Sequence, residues 1–126
     1  MNIPANLKYT KDHEWLLIEG NIGTIGITDF AQGELGDIVY LDVDKNLQTI
    51  AAGETFGTIE AVKTVSDLYA PVDGKVLEIN EGLNDEPQVI NTDPYGKGWI
   101  VKVEITNASQ INELMTAEEY KNQIGQ

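Results

Sequence analysis

Arginine and cysteine are both absent from the 126 residues, and there is a single histidine. Without cysteine the chain has no disulfide framework, no thiolate nucleophile and no sulfur ligand for a structural zinc. Any redox chemistry must come from an attached group. A catalytic triad would have to use His13 with nothing marking its serine, and a zinc site would need carboxylates in place of almost every usual nitrogen or sulfur ligand. Phosphate-binding glycine loops are missing as well: Gly20, Gly23 and Gly26 lie in a strand pattern, and no lysine follows a Walker-type spacing. Catalysis by the chain alone is not expected, nor is a bound metal.

Cations are scarce overall. Eight lysines face 21 carboxylates, giving a formal charge of -13. Such a surface repels nucleic acid and anionic lipid. Protein partners should therefore present basic or neutral docking faces, with charge speeding encounter more than tightening the complex. No apolar run is long enough to span a bilayer, and the N-terminus lacks the features of a signal or transit peptide. The expectation is a cytoplasmic monomer, or a mitochondrial matrix protein if the chain is the processed form of an imported one. A hydrophobic content of 41% is ordinary for a globular protein, and the length suits one domain over residues 1–126.

What is present is mostly strand. Trp15–Ile18 and Ile22–Ile27 read as a hairpin around Glu19-Gly20-Asn21. Thr28-Asp29-Phe30-Ala31-Gln32 opens a short helix, with Asp29 as capping acceptor and a stop at Gly36. Ile38–Val43, Thr55–Val62, Val65–Ala70 and Lys75–Ile79 are further strands separated by turn residues. Over Trp99–Ile105 the alternation puts Trp99, Val101, Val103 and Ile105 on one face. Ser109–Met115 and Thr116–Tyr120 read as helical, the second with a capping box from Thr116 to Glu119. Many short strands, Gly-rich turns and brief helices indicate a mainly β sandwich or barrel.

Lys63 falls at the bend between two of these strands, in Glu60-Ala61-Val62-Lys63-Thr64-Val65-Ser66-Asp67. Two readings fit the residues: a solvated loop lysine, the common case, or one amine held out on a rigid hairpin for a modifying enzyme to reach. Spacing alone does not choose between them.

The stretch resembles the lipoyl-lysine motif of glycine cleavage H proteins. The likeness extends over Tyr9–Trp15, Ile25–Gln32, Leu35–Tyr40, Ser66–Val72 and Asn91–Trp99, nearly the whole chain in order. The resemblance implies a barrel-sandwich hybrid of the lipoyl and biotinyl carrier kind, with a lipoyl hairpin over about 56–70, a C-terminal helical segment over about 108–124, and lipoate in amide linkage to Lys63. It implies a shuttle without catalysis of its own. The arm receives an aminomethyl group from a pyridoxal-phosphate glycine decarboxylase and gives the one-carbon unit to tetrahydrofolate on an aminomethyltransferase. It is then reoxidised by dihydrolipoyl dehydrogenase, and a lipoate-attaching enzyme is a further partner.

Family precedent is that the loaded arm folds into a groove. A protonated amine there wants a carboxylate, so Glu14 and Asp67 are the candidate groove residues, with Ser66 a third. Glu14 equally suits a structural carboxylate, and Asp67 a turn residue bonding its own backbone. His13 reads as a half-buried histidine bonded to backbone, and Tyr9, Trp15, Tyr95 and Trp99 as packing aromatics. Val43–Thr49 departs from the Leu-Pro pair and glycine of many members; in the family this loop lies near the lipoyl hairpin, where a change would alter partner or lipoylating-enzyme preference without touching the attachment site.

Other readings remain open from the residues. A biotinyl carrier usually flanks its lysine with methionines, whereas Val62 and Thr64 stand here. A lipoyl domain of a 2-oxoacid dehydrogenase acyltransferase leaves the blocks at Tyr9–Trp15 and Asp93–Trp99 without a role. A lipoyl relay that donates to other enzymes is a third alternative.

Overall fold

The computed structural model describes residues 1–126. β2 (Glu14–Glu19) and β3 (Ile22–Ile27) form the expected hairpin, with Gly20 at φ 66° in its turn. One close approach shapes it. Trp15 lies opposite Gly26, where an added Cβ would come within 2.6 Å of the indole, so the ring can lie over the neighbouring strand only because that position has no side chain.

The hairpin extends into a six-stranded antiparallel sheet in the order β1-β2-β3-β9-β8-β5. Its other members are β1 (Lys8–Tyr9), β5 (Thr49–Ile50), β8 (Gly74–Ile79) and β9 (Val101–Ile105). A second sheet has β6 (Thr55–Ala61) between β4 (Ile38–Asp42) and β7 (Val65–Tyr69). Helices fill the connections: α1 (Asp29–Leu35), α2 (Gly82–Asp85), α3 (Val89–Thr92), a 3-10 turn over Ala108–Glu113, and α4 (Ala117–Ile124). The architecture is mainly β with two sheets and a few short helices, one of them C-terminal.

Both sheets turn apolar side chains into one cluster of 18 buried residues, among them Leu16, Ile25, Ile59, Leu68, Val101 and Val103. A smaller cluster joins the N-terminal segment to α4 through Ile3, Leu7, Tyr9, Trp15, Ala117 and Tyr120. Each such side chain contributes roughly 1.5–3 kcal/mol on burial.

Several expectations change in detail. The cap of α1 is Thr28, whose Oγ1 accepts from Ala31 N at 3.2 Å. Asp29 instead accepts from Asn2 N at 3.0 Å and Gln32 Nε2 at 2.7 Å, because it already lies inside the helix. Alternation in the last strand holds only from Val101: Ile100 is fully buried and Trp99 packs with the smaller cluster. Asn80 holds this stretch, its Nδ2 donating to Trp99 O at 2.7 Å. The segment expected helical from Ser109 is a 3-10 turn. The capping box of Thr116 and Glu119 is present, and its helix runs on to Ile124. β1, β5, α2 and α3 carry too few residues to show a period.

Candidate functional site

The β6–β7 pairing runs from Thr55 opposite Tyr69 to Glu60 opposite Val65. Ala61 N then donates to Thr64 O at 2.8 Å, leaving Val62 and Lys63 as the tip. Gly36, at φ 79°, ends α1 and swings the chain into β4 beside that tip. Val62 N donates to Asp37 O at 3.1 Å in this connection, so the tip is pinned while Lys63 itself stays exposed. A hollow of about 390 Å³ starts at Val62 and Lys63 and is walled by Glu34, Leu35 and Asp37.

Glu34 and Leu35 also line a narrower cleft of about 150 Å³, which contains Glu14, Ser66 and Asp67 together. The three residues singled out in sequence thus share one cavity, which has Glu34 and Leu35 as a common wall with the hollow at Lys63. Ser66 and Asp67 lie within β7, opposite Ile59 and Thr58. Asp67 is therefore a strand residue and not a turn residue, and its Oδ2 accepts from Tyr69 Oη at 3.4 Å.

Glu14 is the most unusual group here, a carboxyl only 1% exposed at the start of β2. Oε1 accepts from Thr10 Oγ1 at 2.5 Å and Oε2 from Tyr69 N at 3.3 Å. Thr10 Oγ1 in turn accepts from Glu14 N at 3.1 Å. Burial pushes the carboxyl up to about 7, against the opposing pull of the Thr10 and Tyr69 hydrogen bonds. Glu14 also borders a third cavity, of about 440 Å³, on the side of Tyr9, Thr10 and Met115. It is a shared wall between two cavities.

His13 is placed by its backbone, the one non-glycine residue at positive φ, 72°. Its Nδ1 lies 2.8 Å from Tyr120 Oη, which is 2.7 Å from Thr28 Oγ1. The expected backbone partner is thus a side chain delivered by α4. Burial holds the imidazole below its usual range, against the attraction of Asp12 and Glu34. Tyr9 and Trp15 pack as expected and also donate, to Pro4 O at 2.6 Å and Pro94 O at 3.1 Å. Tyr95 Oη accepts from Asp29 N and donates to Asn2 O. No group of three His, Asp or Glu side chains is placed to hold a metal ion.

The Val43–Thr49 loop lies beside the base of the hairpin, with the Val43 side chain against Gly57, and not at its tip. β4 begins beside the tip, with Ile38 opposite Ala61, and ends with Asp42 opposite Thr58. The loop therefore leaves the strand end farther from Lys63, where it is closed by Asn46 N donating to Asp44 Oδ1 at 2.9 Å. Sequence reasoning also passed over Thr10, Tyr69, Tyr120, Glu34 and Leu35. None has a spacing that announces a role; a local turn brings in Thr10, strand pairing Tyr69, α1 Glu34 and Leu35, and α4 Tyr120.

An exposed lysine on a pinned hairpin beside two neighbouring small cavities is the arrangement of a carrier module. The model of the family described as glycine cleavage H-protein matches residues 7–126. A glycine cleavage system H protein of Staphylococcus saprophyticus is 56% identical over 126 residues, all of both chains. The crystal structure of a glycine cleavage system H protein from Mycobacterium marinum superposes with a TM-score of 0.90 at 42% identity, covering 98% of this chain and 100% of that one. The chain belongs to the glycine cleavage H-protein family, and the barrel-sandwich fold, the lipoyl-carrier role and the place in the glycine cleavage system come with that membership.

Proposed function

We propose that Lys63 is the attachment point of lipoate, through an amide to Nζ, and that residues 1–126 act as one carrier unit with 56–70 as the lipoyl hairpin. One observation carries this reading: Glu34 and Leu35 line both the hollow that begins at Lys63 and the cleft that holds Glu14, Ser66 and Asp67, so the tip and the buried carboxyl belong to neighbouring cavities separated by one wall. The site fits the group, since the amine is exposed and its backbone neighbour Val62 is fixed. The attached lipoyl group supplies the dithiolane, unavailable to a cysteine-free chain, that takes up and hands on the aminomethyl unit of glycine.

The rest is the work of the chain's own residues. Ile27, Phe30 and Leu35 line the cleft with apolar surface and limit the water that can reach a hydrolysable cargo. Glu14, held between Thr10 and Tyr69, presents a carboxyl that cannot swing away. As a neutral acid it tolerates burial, and an arriving ammonium favours its ionised form. Asp67 adds a second negative group at the cleft, and Ser66 a hydroxyl able to donate or accept.

On this reading the module visits a pyridoxal-phosphate glycine decarboxylase, a tetrahydrofolate-dependent aminomethyltransferase and a dihydrolipoyl dehydrogenase in the cytoplasm. Its -13 charge suits basic docking faces on all three. Intact mass of protein from its native source tests the attachment: the parent chain should gain one lipoyl group and Lys63→Arg none. An unmodified parent under lipoate-replete conditions overturns the reading. With the three partners and labelled glycine, Glu14→Ala and Asp67→Ala should release the loaded cargo to water on the order of tenfold faster; unchanged rates remove both residues from the groove.

A further inference from the structure

Seven large hydrophobic side chains are exposed, and four of them gather around the tip: Val39 at 46%, Tyr40 at 51%, Val62 at 68% and Val65 at 60%. The pairing explains how. Tyr40 lies opposite Glu60, which lies opposite Val65, so these three form one row across the sheet and share a face. With strands about 4.8 Å apart the row spans roughly 10 Å. Val62 is the lysine's immediate neighbour.

Val39 enters through a fault in the ladder. Ile38 and Leu41 are both buried although they are three residues apart, which unbroken alternation forbids. The register shifts between Ile38 and Tyr40, and this bulge turns two consecutive apolar residues outward. Bulges that re-aim side chains are commonest beside functional sites. The exposed carboxylate of Glu60 stands within the row, between Tyr40 and Val65, and those of Glu34, Asp37 and Asp42 lie on the neighbouring segments.

We propose that Val39, Tyr40, Val62 and Val65 are the docking surface for the enzyme that acylates Lys63, and that this enzyme meets them with apolar side chains interspersed with basic ones that face Glu60 and the surrounding carboxylates. The inference rests on the reading of Lys63 as the attachment point. An acylating enzyme must bring its active site to Nζ itself, so side chains within two strands of the tip fall inside its footprint. A typical footprint of about 800 Å² per partner is a disc roughly 16 Å in radius, wider than the whole row. Enzymes that act at the far end of an attached arm are held off by the arm's length. Tyrosine is among the side chains that most often carry interface energy, and near-neutral contacts such as the valines around it exclude water.

The test uses the unmodified full chain, a bacterial lipoate–protein ligase, lipoate and ATP, with intact mass followed in time at several chain concentrations. Tyr40→Ser and the Val39→Ser, Val65→Thr double variant should raise KM for the chain about tenfold with kcat unchanged. Tyr40→Thr, which keeps a strand-forming residue, should do the same. Leu77→Ser, at an exposed apolar position on the other sheet, should leave KM as it was, and added salt should raise it for the parent. Unchanged KM in the patch variants, a fall in kcat alone, or an equal rise in Leu77→Ser overturns the docking surface. So does normal acylation accompanied by slower reoxidation with dihydrolipoyl dehydrogenase, which would name a different occupant. A parent chain that stays unmodified at Lys63 sinks the functional reading and this one with it.

Discussion

Around Tyr9 and Tyr120 the rings are covered and their polar ends satisfied, whereas the Val62–Lys63 tip leaves its side chains open to solvent. Tyr9 and Tyr120 stack at 4.8 Å between centroids, 7° from parallel. Burial pushes the Tyr120 phenol up to about 12, so the cluster stays neutral through the ordinary pH range. The tip is held by backbone alone, through Ala61, Val62 and their partner carbonyls. The contrast teaches where this carrier keeps stability and where it keeps access. The two regions still meet, because Tyr120 Oη reaches His13 and His13 precedes Glu14.

The largest effect should come from the covered region. Tyr120→Ala removes a fully buried ring with two side-chain hydrogen bonds and should cost about 3–5 kcal/mol in urea unfolding, while Lys63→Arg should stay within about 0.5 kcal/mol. A loss below about 1 kcal/mol for Tyr120→Ala would erase the distinction.

Next comes the junction. Folded Glu14 keeps its proton up to about pH 7, against an ordinary value of 4.5. Between those values the folded chain binds more protons than the unfolded one, so stability falls as pH rises and levels off above 7. The fall should amount to roughly 3 kcal/mol and vanish in Glu14→Gln. His13 works in the opposite sense, because burial favours its neutral form and stability falls as pH drops through its range. The difference between parent and Glu14→Gln curves cancels that contribution, and parallel curves would contradict the raised carboxyl.

The smallest effect concerns the helix that supplies Tyr120. Thr116→Ala removes the side-chain half of the α4 capping box and should lower stability by about 1 kcal/mol, measured by thermal unfolding. Loss of protection of the His13 amide to hydrogen exchange in the same variant would sharpen the coupling between helix and site.

Sequence periodicity disclosed the long strands and the hairpin that carries Lys63, because apolar alternation and turn residues are local signals. It missed β1 and β5, whose two residues pair only because longer strands offer an edge. The α1 cap moved one residue, since Thr28 and Asp29 are both good acceptors and only tertiary contacts separate them. Lys63 became legible through resemblance to a family. Glu14 was legible as a carboxylate but not as a buried one, because Thr10 bonds it within a local turn while Tyr69 reaches it from a distant strand, a meeting no local pattern records. The Val43–Thr49 loop was expected near the hairpin and does start beside its base at Gly57, while strand direction, which composition cannot show, sets it at the end away from the tip.

The bulge at Val39 has a bearing on aggregation. β4 is an edge strand, and an edge with outward valine and tyrosine side chains invites pairing with a strand from another molecule. The extra residue interrupts the regular run of free amides and carbonyls that such pairing needs, while leaving both side chains on display. The chain can keep a sticky face beside its exposed lysine without offering a template for fibril growth.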